Sequence, residues 1–300
     1  KKNEDGSWDE NWNTAVANEA FRQAFYYGME LTPYWARTNQ ISPQDNEALT
    51  FTTANVVSFS DGRDYQDRVI ELIGLTGGGR YDADKTAQYI AQAKAELAGK
   101  VTFPVGVDYY VPANNQDEID KGTVLKDVIE KGLGADFVTV NIKPYVSNAN
   151  QEVYTPQLHS FGIAGWYADY GDPENFITQF MYKNDAAFFA ARITKEAQCT
   201  DPDLIAQWEE YNRLCDIGNG IVDDMDARYE AQAQAEAYLL NHALIIPCYS
   251  LSQWSLTRVH NFDAPFASYG TDVYLFKNYA SQAEPYTTEQ FAQLRAAEGK

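Results

Sequence analysis

The chain has 300 residues, 45% hydrophobic and 14% aromatic, which suffices for one large domain or two smaller ones and argues against disorder. Its formal net charge of −20 comes from 43 acidic and 23 basic residues, and the Lys and Arg residues form no local cluster. Because binding to phosphates depends on basic side chains, this charge argues against binding to nucleic acid or to an anionic membrane surface.

The first hundred residues are predicted to form a polar linker followed by helices. The linker covers residues 1–14, and apolar residues then recur at helical spacing over 15–29, 65–72 and 82–97. A run of three glycines at 77–79 separates the last two helices.

Between residues 101 and 166 the pattern becomes an alternation of strands and helices. Strands are predicted at 101–110, 137–142 and 161–166, with helices at 115–131 and 149–158 between them. This order implies right-handed crossovers and a largely parallel sheet, so the fold class is α/β. Ligands bind beyond the carboxyl ends of strands in such sheets, and we therefore expect a ligand site directly after the third strand.

The remaining residues are predicted to be mostly helical. Helices are expected at 173–180, 186–197, 202–215, 223–241 and 287–297, and strands at 243–249 and 272–276. The cysteines, Cys199, Cys215 and Cys248, have no CxxC spacing. A helix over 202–215 would hold the first two too far apart for a disulfide, so all three are expected to be free.

Sequence patterns typical of catalytic or metal sites are missing. His159, His242 and His260 share no metal-ligand spacing. The acid-rich stretch 216–226 departs from the calcium-loop pattern and is expected to be a solvated loop, with adventitious calcium as the alternative. The sequence contains no GxSxG elbow, P-loop or GxGxxG, and no carboxylate pair stands out as a glycosidase dyad. We expect no cofactor and no enzymatic activity; a hydrolase with aromatic subsites is the alternative.

The densest cluster of aromatic and acidic residues follows the third predicted strand and reads GWYADYGDPENF at residues 165–176. Backbone there could pair with an extended ligand, while Trp166 offers apolar area and Asp169 a carboxylate for an ammonium group. In the structural alternative, Trp166 belongs to the core and residues 169–172 cap the next helix. The residues by themselves leave both interpretations open.

Three segments together resemble one protein family. Residues 165–176 are similar to the GWxADYxDPxNF segment of family 5 extracellular solute-binding proteins, the oligopeptide- and dipeptide-binding components of ABC importers. Residues 18–30, NEAFRQAFYYGME, resemble the helix that opens the second lobe. Residues 226–247, which begin DARYEAQAQAEA and end HALIIP, resemble the helix that ends in AxxIPLY. The match covers roughly residues 15–280 and looks most like Gram-positive oligopeptide-binding lipoproteins.

The resemblance implies a type II periplasmic-binding fold, in which the ligand lies between two lobes that close by a hinge motion. Residues 15–262 would form the second, ligand-binding lobe, with a mixed, largely parallel sheet flanked by helices. Residues 263–300 would return toward a first lobe. Because family members begin with a signal sequence and a first lobe, we expect this chain to be one part of a longer receptor.

The resemblance also implies a ligand and a set of contacts. Asp169 would hold the N-terminal ammonium group of a bound peptide, and Trp166, Tyr167 and Ala168 would border its main chain. Some members carry Arg two residues before the Gly-Trp pair, where this sequence has Ile163, so the means of holding an anionic group on the ligand is left open.

The expected function is the extracytoplasmic capture of peptides for the membrane permease of an ABC importer. The receptor would be a cell-surface lipoprotein of a Gram-positive bacterium. Alternative ligands in the same fold are an oligosaccharide or a nickel chelate. No stretch of the sequence approaches the roughly 20 apolar residues of a membrane span, so no transmembrane segment is expected in the chain.

Overall fold

A computed structural model describes residues 1–184, 189, 200–250 and 283–297. The chain divides into two compact units. The first comprises Lys1–Trp166 and Asp172–Ser250, and the second comprises Tyr167–Gly171 and Leu251–Lys300. The helix expected at 186–197, the strand expected at 272–276, Cys199 and His260 lie outside the described residues.

The first unit contains two strands and nine helices among the residues described, together with three single turns of 3₁₀ or π type. In chain order these are α1 (Glu10–Ala17), α2 (Glu19–Gly28), α3 (Thr32–Trp35), a turn at Pro43–Asn46, α4 (Tyr65–Leu72), α5 (Ala83–Glu96), β1 (Val105–Pro112), α6 (Gln116–Leu133), β2 (Val138–Tyr145), a turn at Asn150–Tyr154, α7 (Glu174–Ile177), a turn at Thr178–Phe180, α8 (Pro202–Gly220) and α9 (Met225–Asn241). In the second unit, the described helix is α10 (Thr288–Ala297).

The two strands form the predicted parallel pair. They run in register from Val105 opposite Val138 to Pro112 opposite Tyr145, and α6 makes the crossover between them. Alternate valines of both strands are buried against α2 and α6, together with Phe21 and Phe137. Strand and helix positions in this part of the chain follow the sequence prediction within a few residues.

The N-terminal segment differs from the prediction of a linker over residues 1–14, because α1 begins at Glu10. Asp9 caps this helix by accepting a hydrogen bond from the Trp12 amide at 2.9 Å, and the Trp12 side chain is buried. The predicted single helix at 15–29 is divided at Asn18, whose backbone is extended and whose side chain caps α2.

Two predicted strands, at 161–166 and 243–249, are wrong, since neither segment pairs as a strand among the described residues. Ser160, just before the first segment, donates its amide to Asp108 O at 2.9 Å and accepts from the Asp108 amide at its side-chain Oγ at 2.8 Å, so only one of these two bonds joins backbone to backbone. In the second segment, side chains take the carbonyl groups that a ladder would use. Trp35 Nε1 donates to Cys248 O at 2.9 Å, and the Arg80 guanidinium donates to Pro247 O.

Helix packing in the first unit includes one very close approach. A Cβ atom placed on Gly132 of α6 would lie 2.0 Å from the carbonyl oxygen of Gly28 in α2. Glycine at this position therefore allows the two backbones to touch. None of the helices in the described part of the chain has the length and apolar character needed to cross a membrane.

Candidate ligand-binding site

The residues predicted to bind ligand belong to the loop at residues 165–176. A hydrogen bond between two residues of the first unit links the two flanks of this loop. Trp166 Nε1 donates to Asn175 Oδ1 at 2.9 Å, a bond between residues nine positions apart. The Trp166 side chain is half-buried and its ring lies 6.2 Å from that of Phe189. On the other flank, Asp172 Oδ1 accepts from the amide of Glu174, the first residue of α7, at 2.8 Å.

Tyr167, Ala168 and Asp169 belong to the second unit. Tyr167 is 74% exposed and Asp169 is also exposed, whereas Ala168 is only 4% exposed. Asp172 lies just before α7 and accepts a hydrogen bond from the amide of Glu174, the first residue of that helix. Ligand contact by Trp166 and these three residues stays a prediction.

Helix α9 has a buried polar face that was not predicted from the sequence. Arg228, Gln232 and Glu236 are spaced by four residues, so they lie on one side of the helix, and none is more than 7% exposed. Charged and amide side chains are rarely buried unless they are paired. A row of polar residues at helical spacing in an alanine-rich helix was the available signal.

Arg228 joins two of the family-like segments, residues 226–247 and residues 165–176. Its Nε and Nη2 atoms donate to the two carboxylate oxygens of Asp172, at 3.1 and 3.2 Å, and Nη2 also donates to Glu174 at 3.0 Å. Gln232 Nε2 donates to the same Asp172 carboxylate at 3.1 Å. Burial by itself would lower the pKa of Arg228, but the hydrogen bonds and charge of Asp172 outweigh it and raise that pKa, so the guanidinium stays charged.

Arg228 also binds backbone carbonyl groups of the acid-rich stretch 216–226. Its Nη1 donates to the carbonyl oxygens of Asn219 and Ile221 at 3.0 and 3.2 Å. These oxygens, which a calcium loop would turn toward an ion, are directed at the guanidinium. Over the described ranges, no group of three or more His, Cys, Asp or Glu side chains has an arrangement that could hold a metal ion.

Glu236 anchors the segment before α4. Its Oε1 accepts from the amides of Phe51 and Thr52, and its Oε2 accepts from the hydroxyls of Thr52 and Tyr65. Removal from water raises the pKa of Glu236, and these four donors oppose the rise.

The family-like segment at residues 18–30 is bound to the C-terminal end of α9. Arg22 donates to the carbonyl of His242, and Gln23 donates to that of Asn241, so both side chains satisfy carbonyls that a helix end leaves without partners. His242 Nδ1 lies 3.1 Å from a carboxylate oxygen of Glu19. Helix α9, which lies in the segment 226–247, therefore contacts both of the other family-like segments.

Arg80 is a further buried cation that sequence analysis missed. It is 3% exposed, and burial lowers its pKa from the usual value. Its guanidinium donates to the carbonyl oxygens of Tyr26, Ala48 and Pro247. By binding both carbonyl oxygens, Arg80 links Pro247 of the segment 226–247 to Tyr26 of α2.

The chain is similar in sequence to curated oligopeptide-binding proteins of streptococci. It is 27% identical to the oligopeptide-binding protein AmiA of Streptococcus pneumoniae, over 94% of this chain and 46% of AmiA. It is 26% identical to SarA of Streptococcus gordonii, over 92% of this chain and 45% of SarA. The chain thus spans about half the length of the curated relatives it matches. No protein-family profile matches it.

Solved structures show the same fold at lower identity. The substrate-binding domain of an oligopeptide ABC transporter from Bacillus anthracis superposes with a TM-score of 0.59 at 21% identity, over 81% of this chain and 41% of that one. The pheromone receptor PrgZ gives 0.57 at 16% identity, over 82% and 42%. DppA from Helicobacter pylori, in complex with the peptide STSA, gives 0.54 at 17%, over 91% and 45%. The predicted α/β, periplasmic-binding-type fold is confirmed.

Proposed function

We propose that this chain, a homologue of the oligopeptide-binding proteins of ABC importers, is part of a receptor that captures peptides outside the cytoplasm. The observation that carries the proposal is sequence similarity to curated oligopeptide-binding proteins along 92–94% of the chain. The receptor would deliver its ligand to a membrane permease and would catalyse no reaction. We expect the receptor to be held on the surface of a Gram-positive cell by a lipid anchor.

Within this function, we assign the chain to one lobe of a two-lobed receptor. Residues 15–262 would form the ligand-binding lobe and 263–300 would return toward the other lobe. The proposal is supported by the length of the curated relatives, of which the chain matches about half. We call the longer protein, with both lobes, the complete receptor.

We assign the ligand contacts to the loop at residues 165–176, as the family resemblance implies. Asp169 would accept hydrogen bonds from the N-terminal ammonium group of the peptide, and a bond between charged groups is about twice as strong as a neutral one. Trp166, Tyr167 and Ala168 would border the peptide main chain. The exposure of Tyr167 and Asp169 is compatible with this role.

Calorimetric titration of the complete receptor with panels of peptides, oligosaccharides and a nickel chelate tests the proposal. We expect stoichiometric binding of peptides, which are recovered unchanged by mass spectrometry. Binding of only a sugar or a chelate would reassign the ligand, and turnover without stoichiometric binding would support the hydrolase alternative. We also expect this chain by itself to bind peptide more weakly than the complete receptor, because it would supply half of the cleft; equal affinities would contradict the lobe assignment.

A further inference from the structure

The loop that carries the proposed ligand contacts is fixed at both flanks by side chains of the first unit. Trp166 is bonded to Asn175 at one flank, and Asp172 is bonded to Arg228 and Gln232 at the other. Five residues, Tyr167–Gly171, separate these two fixed points. A short loop with both ends fixed has far fewer conformations than one with a loose end.

Both carboxylate oxygens of Asp172 accept hydrogen bonds from residues of the first unit. Its Oδ1 accepts from Arg228, Gln232 and the Glu174 amide, and its Oδ2 accepts from Arg228. The paired bonds from the guanidinium fix the plane of the carboxylate as well as its position. These contacts exclude Asp172 as the acceptor for a ligand ammonium group, although it lies only three residues from Asp169.

We propose that Arg228 is a positioning residue for peptide binding, which it supports through Asp172 by fixing the flank of the loop that carries Asp169. This inference deepens the proposed function and rests on it. Three residues span at most about 10 Å of chain, so fixing the position of Asp172 limits the positions that Asp169 can occupy. A second effect is electrostatic: Arg228 pairs with the carboxylates of Asp172 and of Glu174, the first residue of α7, and reduces the repulsion between them.

Amide hydrogen exchange of the ligand-free chain tests the positioning itself. Arg228→Met should accelerate exchange at residues 165–172, and Arg228→Lys, which retains the charge but not the paired bonds, should give a smaller increase. Arg68→Met is the matched control, because Arg68 forms paired hydrogen bonds to Glu230 of α9 and a further bond to Glu71 of α4. Unchanged exchange in Arg228→Met, or equal acceleration in Arg68→Met, would overturn the inference.

Peptide affinity of the complete receptor tests the consequence. One short peptide is titrated with its amino group free and with that group acetylated. Arg228→Met should weaken binding of the free peptide about tenfold, the size of one charge-assisted hydrogen bond, and should change binding of the acetylated peptide little. Arg228→Lys should restore part of the loss.

An equal loss for both peptides would indicate a general structural defect and would overturn the positioning role, as would no loss for either. If the unmodified receptor binds no peptide, the proposed function fails and the link to a ligand fails with it. The exchange experiment then still decides whether Arg228 fixes the loop, so the two failures can be told apart.

Discussion

Replacing Glu236 tests how much the buried polar face of α9 contributes to stability. The side chain is fully buried, and its carboxylate accepts four hydrogen bonds. Oε1 binds the amides of Phe51 and Thr52 at 2.8 and 2.9 Å. Oε2 binds the hydroxyls of Thr52 and Tyr65 at 2.6 and 3.2 Å.

The magnitude follows from which donors can find a new partner. Glu236→Leu leaves two backbone amides without an acceptor, whereas hydroxyl groups can rotate. Each unsatisfied buried donor costs about 1–3 kcal/mol, so the free energy of unfolding should fall by about 2–6 kcal/mol. Glu236→Gln retains a carbonyl for both amides, and its NH₂ group can donate to the hydroxyls; we expect a loss below about 1.5 kcal/mol.

The pH dependence provides a second, independent measurement. Burial raises the pKa of Glu236 above its ordinary value of 4.5 in the folded protein. The folded state then binds this proton more tightly than the unfolded state does. The free energy of unfolding of the wild type should therefore fall as pH rises above 4.5 through the folded-state pKa, and then level off. Glu236→Gln lacks this titration.

Urea unfolding of the wild type and both variants, from about pH 4.5 to about pH 8, supplies the data. The stability of the wild type relative to Glu236→Gln should decrease with rising pH, because other titrating groups are common to both proteins. Equal stability of the Leu and Gln variants would refute the hydrogen-bond argument. A relative stability that increases with pH would refute the raised pKa.

Two further predictions concern close packing and thiol reactivity. Gly132→Ala should lower the free energy of unfolding by about 1–3 kcal/mol, because its Cβ would lie 2.0 Å from Gly28 O. Gly165→Ala is the control: no atom lies within 4 Å of its Cβ, so the free energy of unfolding should change by less than about 0.5 kcal/mol. Equal urea midpoints would contradict this. Burial raises the pKa of Cys215 to about 12, so its thiol should resist iodoacetamide at about pH 8 until urea unfolds the chain. Peptide mass mapping measures the modification, and equal rates in both states would refute the prediction.

Local patterns were sufficient to predict three regular elements of the first unit, β1, α6 and β2. Alternating valines predicted β1 and β2, and the apolar spacing between them predicted α6, because both periodicities are set by residues close in sequence. The segment 243–249 was predicted as a strand for the same reason, yet side chains of Trp35 and Arg80 bind its carbonyls. Partners so distant in sequence leave no local pattern.

The candidate site likewise combines features that local sequence predicts with contacts between residues distant in sequence. The sequence itself identified the loop at 165–176 by its composition, although the strand expected directly before it does not form. Only the tertiary structure revealed that Asp172 of this loop is held by Arg228, 56 residues away. A buried ion pair requires folding to remove both partners from water together, and nothing in the sequence near either residue specifies the other.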